Sequence, residues 1–417
     1  MENKINIQVE SEIGELEAVI LHTPGPEIEK MTPVNAGKAL YSDILNLSVI
    51  QKEYKQFRGV LEKVTNVFQV EGLLKEVLNN KEYKDDVVKQ IIKDSKAEDV
   101  KSYLLSLNSE QLAKNLIQGV PMHKNSLTNY LNNDFFELEP LFNLFFTRDA
   151  SSSINNNVLI HKMATPVRKR ESIIMDAIFK YHPNLSTKII NVDDSKDYDN
   201  EISTEGGDFL IARDDILLVG TGTRTSSQGI DYISKFVEST NKRKHIIVQE
   251  LPENPESFIH LDMVFTLLDN DKCMVYEPLI MKKSKYATLH LIVEGGKIKS
   301  INEVSNIPTI LNKLGMPVEP ILCGGGKFQH QEREQWHSGA NFFAFAPGKI
   351  IGYERNNYTI EALNKSGFSV LKAIDIISGK ENVDNHKRAV VTIQGSELSR
   401  GGGGARCMTM PIRRENL

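Results

Sequence analysis

Hydrophobic positions along this chain change their period twice. Residues 5 to 24, INIQVESEIGELEAVILHTP, mix short alternating and continuous apolar runs with Gly and Pro, the pattern of a strand-forming start. From about Ala36 to Val64 apolar residues recur at helical spacing among strong helix formers, and helical character continues to about residue 118. Asn108 followed by Gln111 resembles a capping box that opens the last of these helices. The block is rich in Lys and Glu and poor in Gly, and we expect it to be a helical insertion over 38–135 within one domain covering 1–417. Beyond Phe135, short apolar runs such as NNVLIHKMA, DFLIARDDILLVGTG, KHIIVQEL and RAVVTIQGS alternate with helical stretches such as ESIIMDAIFKYH and TIEALNKSG. Short strands alternating with single helices predict repeated α/β units rather than an all-β sandwich.

Composition narrows the functional classes. The 417 residues are 25% charged and 40% hydrophobic with a net charge of −5, which is ordinary globular composition. Mild acidity gives no support for a nucleic-acid partner, which would call for a basic stripe. No apolar run is long enough to span a bilayer, and the N-terminal MENKINIQVE has no signal-peptide core, so we expect a cytoplasmic protein without a membrane partner. Cys273, Cys323 and Cys407 show neither CxxC spacing nor an even framework, which disfavours a zinc ribbon or a disulfide scaffold.

Four stretches combine acids, His or Cys with turn residues: FTRD (146–149), STEGGD (203–208), IHLDM (259–263) and GGGGARCM (401–408). Singly, each has a structural explanation. Asp149 can cap a turn, Asp208 can follow a Gly-Gly turn, and His260 and Asp262 can share one face of a strand. Together they form a Cys/His/acid set of the kind that nucleophilic catalysis assembles in space from distant segments. Two other patterns lead nowhere. CGGGK (323–327) lacks the Ser or Thr of a phosphate loop because Phe328 follows the lysine, and GGGGAR lacks the spacing of a dinucleotide fingerprint.

SEIGELEAVILHTPG, FTRDAS, TEGGDF, HLDMVFTLLD, REQWHSGANFFAFAPG and ELSRGGGGARCMTMPI, in this order from about residue 10 to 415, resemble the arginine deiminase family of the guanidine-modifying (pentein) superfamily. The resemblance implies a pseudosymmetric five-bladed α/β propeller of ββαβ units with an early helical insertion. It implies hydrolysis of L-arginine to L-citrulline and ammonia, with Cys407 as nucleophile, His260 as general acid and base, and Glu205 orienting His260. Asp149 and Asp262 would grip the guanidinium, and Asp208 would be a further acid lining the site. Arg168, Arg224 and Asn143 would meet the α-carboxylate end. No cofactor and no metal are implied; the partner is a small guanidine, and we expect a homo-oligomer, dimer or tetramer. Other guanidines such as agmatine or methylarginine, an amidino transfer, and a non-catalytic binding protein of the same fold remain alternatives. The chain departs from many relatives at Gly402, where a second arginine is often found, and at Thr23, in HTPG where HRPG is common.

Overall fold

The computed structural model describes residues 4–37, 41, 43–195, 202–236 and 243–417. Five sheets of three or more strands share one plan: an antiparallel pair, a helix, then a strand parallel to the second of the pair. Strands Ser151–Ile154 and Asn157–Ile160 are followed by helix Lys169–Tyr181 and strand Lys188–Asn191. Strands Phe209–Arg213 and Ile216–Thr221 lead through helix Ser227–Ser234 to Lys244–Glu250, and two further strands, Thr288–Glu294 and Lys297–Val304, extend that sheet. The same plan joins Phe265–Asp269 and Lys272–Val275 to Glu319–Leu322, and Phe343–Ala346 and Lys349–Tyr353 to Ala389–Ile393. All four antiparallel pairs turn on two-residue loops, which match the right-handed twist of their strands.

The remaining sheet joins the two ends of the chain. Strand Leu16–Leu21 pairs antiparallel with Met410–Arg414 and parallel with Asn66–Gln69, with helix Leu47–Val64 between the parallel partners. The strands read as continuous apolar runs (AVVTI, ILLVGT, KCMV) because they are buried on both faces, as parallel pairs crossed by helices must be. The molecule is thus of the α/β class, as its alternating patterns predict.

Two details of the early block differ from the sequence expectation. The helical pattern from Ala36 resolves into a turn, Pro33–Ala36, and a helix that begins only at Leu47. Asn46 starts that helix by accepting a hydrogen bond from the Val49 N–H; residues 38–40 and 42 lie outside the described residues. Within the block, Asn66–Gln69 is a strand: three of its four residues are half-buried beside Ala18–Leu21, and a sheet edge overrides helical propensity there. Helices Val70–Leu78, Lys81–Ser95 and Ser109–Gln118 then pack with Lys169–Tyr181 in one core. Asn108 caps the last of the three by accepting from the Gln111 N–H.

Candidate active site

Cys407 lies between the turn Leu398–Gly401 and the closing strand Met410–Arg414. Asn341 fixes it from below: its Nδ2 donates to Cys407 Sγ at 3.2 Å, and its Oδ1 accepts the backbone N–H of Arg406 at 2.9 Å and of Cys407 at 3.3 Å. A Cβ on Gly404 would stand 2.6 Å from the Asn341 side chain and 2.8 Å from its carbonyl oxygen, so only glycine lets the backbone close on this residue. The Asp262 carboxylate lies 3.7 and 3.9 Å from Sγ. Burial, then Asp262 and Asp149, push the Cys407 thiol well above its ordinary range, with Arg406 and a Gly404 backbone contact opposing.

His260 and Asp262 reach the site by a different route from the shared strand face that alternation predicts. Leu261–Met263 is a 3-10 turn, His260 precedes it in extended backbone, and the strand starts at Phe265. The glycine pair in EGGD brings backbone close to His260 itself: a Cβ on Gly207 would lie 2.4 Å from the His260 ring. Glu205 Oε2 holds His260 Nε2 at 2.9 Å. His260 Nδ1 and Asp149 Oδ1 lie 3.7 Å apart, and both are buried with no hydrogen-bond partner among the described residues. Burial pulls the His260 pKa down, but Asp149, the Glu205 hydrogen bond and Asp208 outweigh it and raise the value to about 9. Burial raises Glu205, yet His260 and Arg224 bring it down to about 2. The pair is therefore imidazolium and carboxylate at neutral pH.

Protein guanidiniums already occupy one oxygen of each aspartate near the thiol. Arg168 Nη1 donates to Asp149 Oδ2 at 2.7 Å, and Arg406 Nη1 donates to Asp262 Oδ2 at 2.8 Å. Arg168 lines the cavity, but its Nε and Nη2 also bind Glu171 one helical turn on, so its fork is engaged at the acid end of the site and not held open for an α-carboxylate. Arg224 also lines the cavity, and its Nη1 stands 3.4 Å from Glu205 Oε1. Asn143 is a buried part of the wall. Asp208 is not at the cavity surface: its Oδ1 accepts the Leu261 N–H at 2.9 Å, which ties the EGGD turn to the HLDM turn, and burial pushes its pKa up to about 7. Glu205 and Asp262 likewise stand behind the surface. Sequence reading passed over Asn341, Arg406 and Glu171, although two of them lie inside motifs quoted above.

The cavity has a volume of about 740 Å³, with His260, Asp149 and Cys407 in its lining. Ligand atoms of Asp149, Glu205 and His260 come within 4.8 Å of one another, a spacing open to a metal ion. Arg168 Nη1 already sits 2.7 Å from Asp149 Oδ2 and 3.9 Å from Glu205 Oε2, and His260, protonated below about pH 9, keeps no ring lone pair for a metal ion. What the arrangement offers instead is a thiol below a buried, acid-lined slot, with an imidazolium on one side.

A sequence model of arginine deiminases matches residues 38–414. The chain belongs to the arginine deiminase family. Arginine deiminases of Bacillus cereus (strain B4264) and Listeria innocua serovar 6a are each 34% identical to it, over 99% of both chains in the first case and 100% of both in the second. Among solved structures, the amidinotransferase SxtG from Microseira wollei superposes with a TM-score of 0.55 at 14% identity, covering 99% of this chain and 98% of that one. The N-terminal domain of ArgZ, solved covalently bound to a reaction intermediate, gives 0.52 at 13% identity over 95% and 98%. AgrE gives 0.53 at 13% identity, and there this chain spans 40% of the longer protein. At such identities these three share the fold with this member of the arginine deiminase family.

Proposed function

We propose that this chain hydrolyses L-arginine to L-citrulline and ammonia through a covalent intermediate on Cys407. The reading rests on the two orphaned atoms, Asp149 Oδ1 and His260 Nδ1, that face each other beside the thiol. An unpaired buried carboxylate oxygen is costly, and a planar cation with several N–H donors would satisfy it. The guanidinium enters over Cys407 and meets the free oxygen of Asp149, whose other oxygen stays on Arg168, while Asp262, behind the cavity surface and paired with Arg406, faces it from beside the sulfur. The bound cation offsets the two carboxylates that hold the thiol protonated, so Cys407 ionises in its presence. The thiolate attacks the guanidinium carbon, and protonated His260, held by Glu205, gives its proton to the departing nitrogen as ammonia leaves. An S-alkylthiouronium remains. Neutral His260 then takes a proton from water, hydroxide adds to the same carbon, and collapse expels the Cys407 sulfur, which takes up the hydroxyl proton, and releases citrulline.

The five equivalent sheet units support a five-bladed propeller around this site; of the 38–135 block, helix Leu47–Val64 and strand Asn66–Gln69 belong to the first unit itself, and the helices from Val70 to Gln118 are the insertion that follows it. Arg168 acts on Asp149 and leaves Arg224, with Asn143, to meet the α-carboxylate. Gly402, at φ +84° and facing open space, adds no charge there. Incubation with L-arginine and separately with agmatine, followed by chromatography of the products and an ammonia assay, tests the reading. Citrulline and equimolar ammonia are expected, with arginine ahead of agmatine by about tenfold or more in kcat/KM, or roughly 1.4 kcal/mol. Equal rates on both would identify another guanidine as the substrate, and amidino transfer would show itself as dependence on an added amine.

A further inference from the structure

One wall of the cavity is the segment Ser399–Gly403. Its root is gripped from both sides by groups that play no part in the chemistry above. Glu53, on helix Leu47–Val64, is 2% exposed, a rare state for a carboxylate. Its Oε1 accepts from the backbone N–H and the hydroxyl of Ser396, and its Oε2 accepts from the N–H groups of Glu397 and Leu398 at 3.0 and 2.8 Å. Arg355, half-buried, takes the opposite polarity: its Nη1 donates to the carbonyls of Gly395 at 3.2 Å and Ser396 at 3.1 Å and to the Ser399 hydroxyl. Its Nη2 lies 3.3 Å from His337 Nε2, beside Trp336 on the rim of the same cavity. Downstream, the Tyr353 hydroxyl donates to the Gly403 carbonyl at 2.9 Å. Between these two anchors the segment is held by Arg400, which pairs with Asp43 and, at 3.0 Å, with Glu397.

We propose that Glu53 and Arg355 are positioning residues for substrate binding: a carboxylate on the amides and a guanidinium on the carbonyls fix the root of the glycine run, and so the cavity wall against which the substrate's amino-acid end lies. Cys407 is held separately by Asn341, and His260 by Glu205, both on other segments. Loosening the clamp therefore weakens binding while leaving the reacting groups in place, which appears as KM rather than kcat. Gln at position 53 keeps the shape but turns an amide donor toward backbone donors. Lys at position 355 keeps the charge but has a single nitrogen, so it cannot hold the Gly395–Ser399 oxygens and His337 at once as the two Nη atoms do.

This inference rests on the deiminase reading, and citrulline release by the unaltered enzyme tests that reading by itself. The clamp is tested by Glu53→Gln and Arg355→Lys, assayed for citrulline across arginine concentrations, with thermal melts as a check on folding. Binding is measured in parallel by fluorescence of Trp336, the chain's only tryptophan, in a Cys407→Ala background. The expected result is a rise of about tenfold in KM and in the dissociation constant for Glu53→Gln, a smaller rise for Arg355→Lys, and kcat within about threefold of the unaltered enzyme. Should Glu53→Gln fail to fold, the half-exposed Arg355 decides the matter alone. Unchanged KM in the folded variants, or a loss confined to kcat, overturns the proposal.

Discussion

Two stretches of this chain set a cysteine beside a run of glycines: Cys323 to Lys327, and Gly401 to Cys407. Both cysteines are buried, and burial raises both thiols, Cys323 to about 12. Their surroundings differ. Cys323 Sγ lies 3.7 Å from Thr359 Oγ1, the Thr359 hydroxyl is taken up by Glu334, and the Gly324 N–H donates to the same hydroxyl. The glycines there turn the strand Glu319–Leu322 into the helix Phe328–Trp336, and Cys323 has no place in the lining of the cavity that Cys407 shares. Around Cys407, Asn341, Asp149, His260 and Asp262 converge from three other segments. A cysteine and a glycine run make a turn; charged groups with unfilled valences make a site.

The widest separation between the two regions is in turnover. Cys407→Ala is expected to reduce citrulline formation to the uncatalysed background with no large change in melting temperature. Cys323→Ala should keep kcat and lose roughly 0.5–3 kcal/mol of stability, as buried truncations do, measured by denaturant titration. If the alanine at 407 retains activity, the distinction between the two cysteines fails.

Next come the acids that only the Cys407 region possesses. Asp149→Asn keeps the size of the side chain and removes its charge. Losing one charged partner in a desolvated site costs about 2–5 kcal/mol, so kcat/KM for arginine should fall by at least roughly 30-fold. Wild-type kinetics in this variant would reduce FTRD to a structural turn.

A third contrast uses pH. Since His260 must carry a proton to release ammonia and holds it to about pH 9, activity should fall along an alkaline limb near that value. Glu205→Gln removes a neighbouring anion and the hydrogen bond that keep the proton on, so His260 releases it earlier and the limb moves to lower pH. A limb that stays in place in the kcat/KM profile would exclude Glu205 from this role.

The smallest effects separate the glycines. A Cβ at Gly404 meets Asn341 below 3.0 Å, and Gly404→Ala should cost about 1–3 kcal/mol together with activity. A Cβ at Gly326 meets nothing within 4 Å, and Gly326→Ala should stay within about 0.5 kcal/mol of the starting protein with unchanged kinetics.

Much of this comparison was legible in the sequence, for a physical reason. Helix and strand periods reflect which side chains face a core, and they revealed the alternating units and the helices up to Gln118. Motif order carried the set of Cys407, His260, Glu205, Asp149 and Asp262. Partnership across the fold left no such trace. Nothing in FTRD (146–149) or in the stretch VRKRE (167–171) says that Arg168 closes on Asp149 and Glu171, because that pairing depends on how helix Lys169–Tyr181 docks. The family resemblance placed Asp208 in the lining of the site, whereas its Oδ1 serves the backbone of Leu261. The strand Asn66–Gln69 was hidden because four residues beside a helix show no period of their own.

The central claim is that Cys407 forms a bond to the substrate carbon. Acid quenching of the enzyme during turnover of L-arginine, followed by digestion and mass mapping of all three cysteine-containing peptides, tests it most directly. The expected result is an increment equal to arginine less ammonia on the Cys407 peptide, with the Cys273 and Cys323 peptides unmodified. The same increment on either of those peptides, with that of Cys407 unmodified, would contradict it.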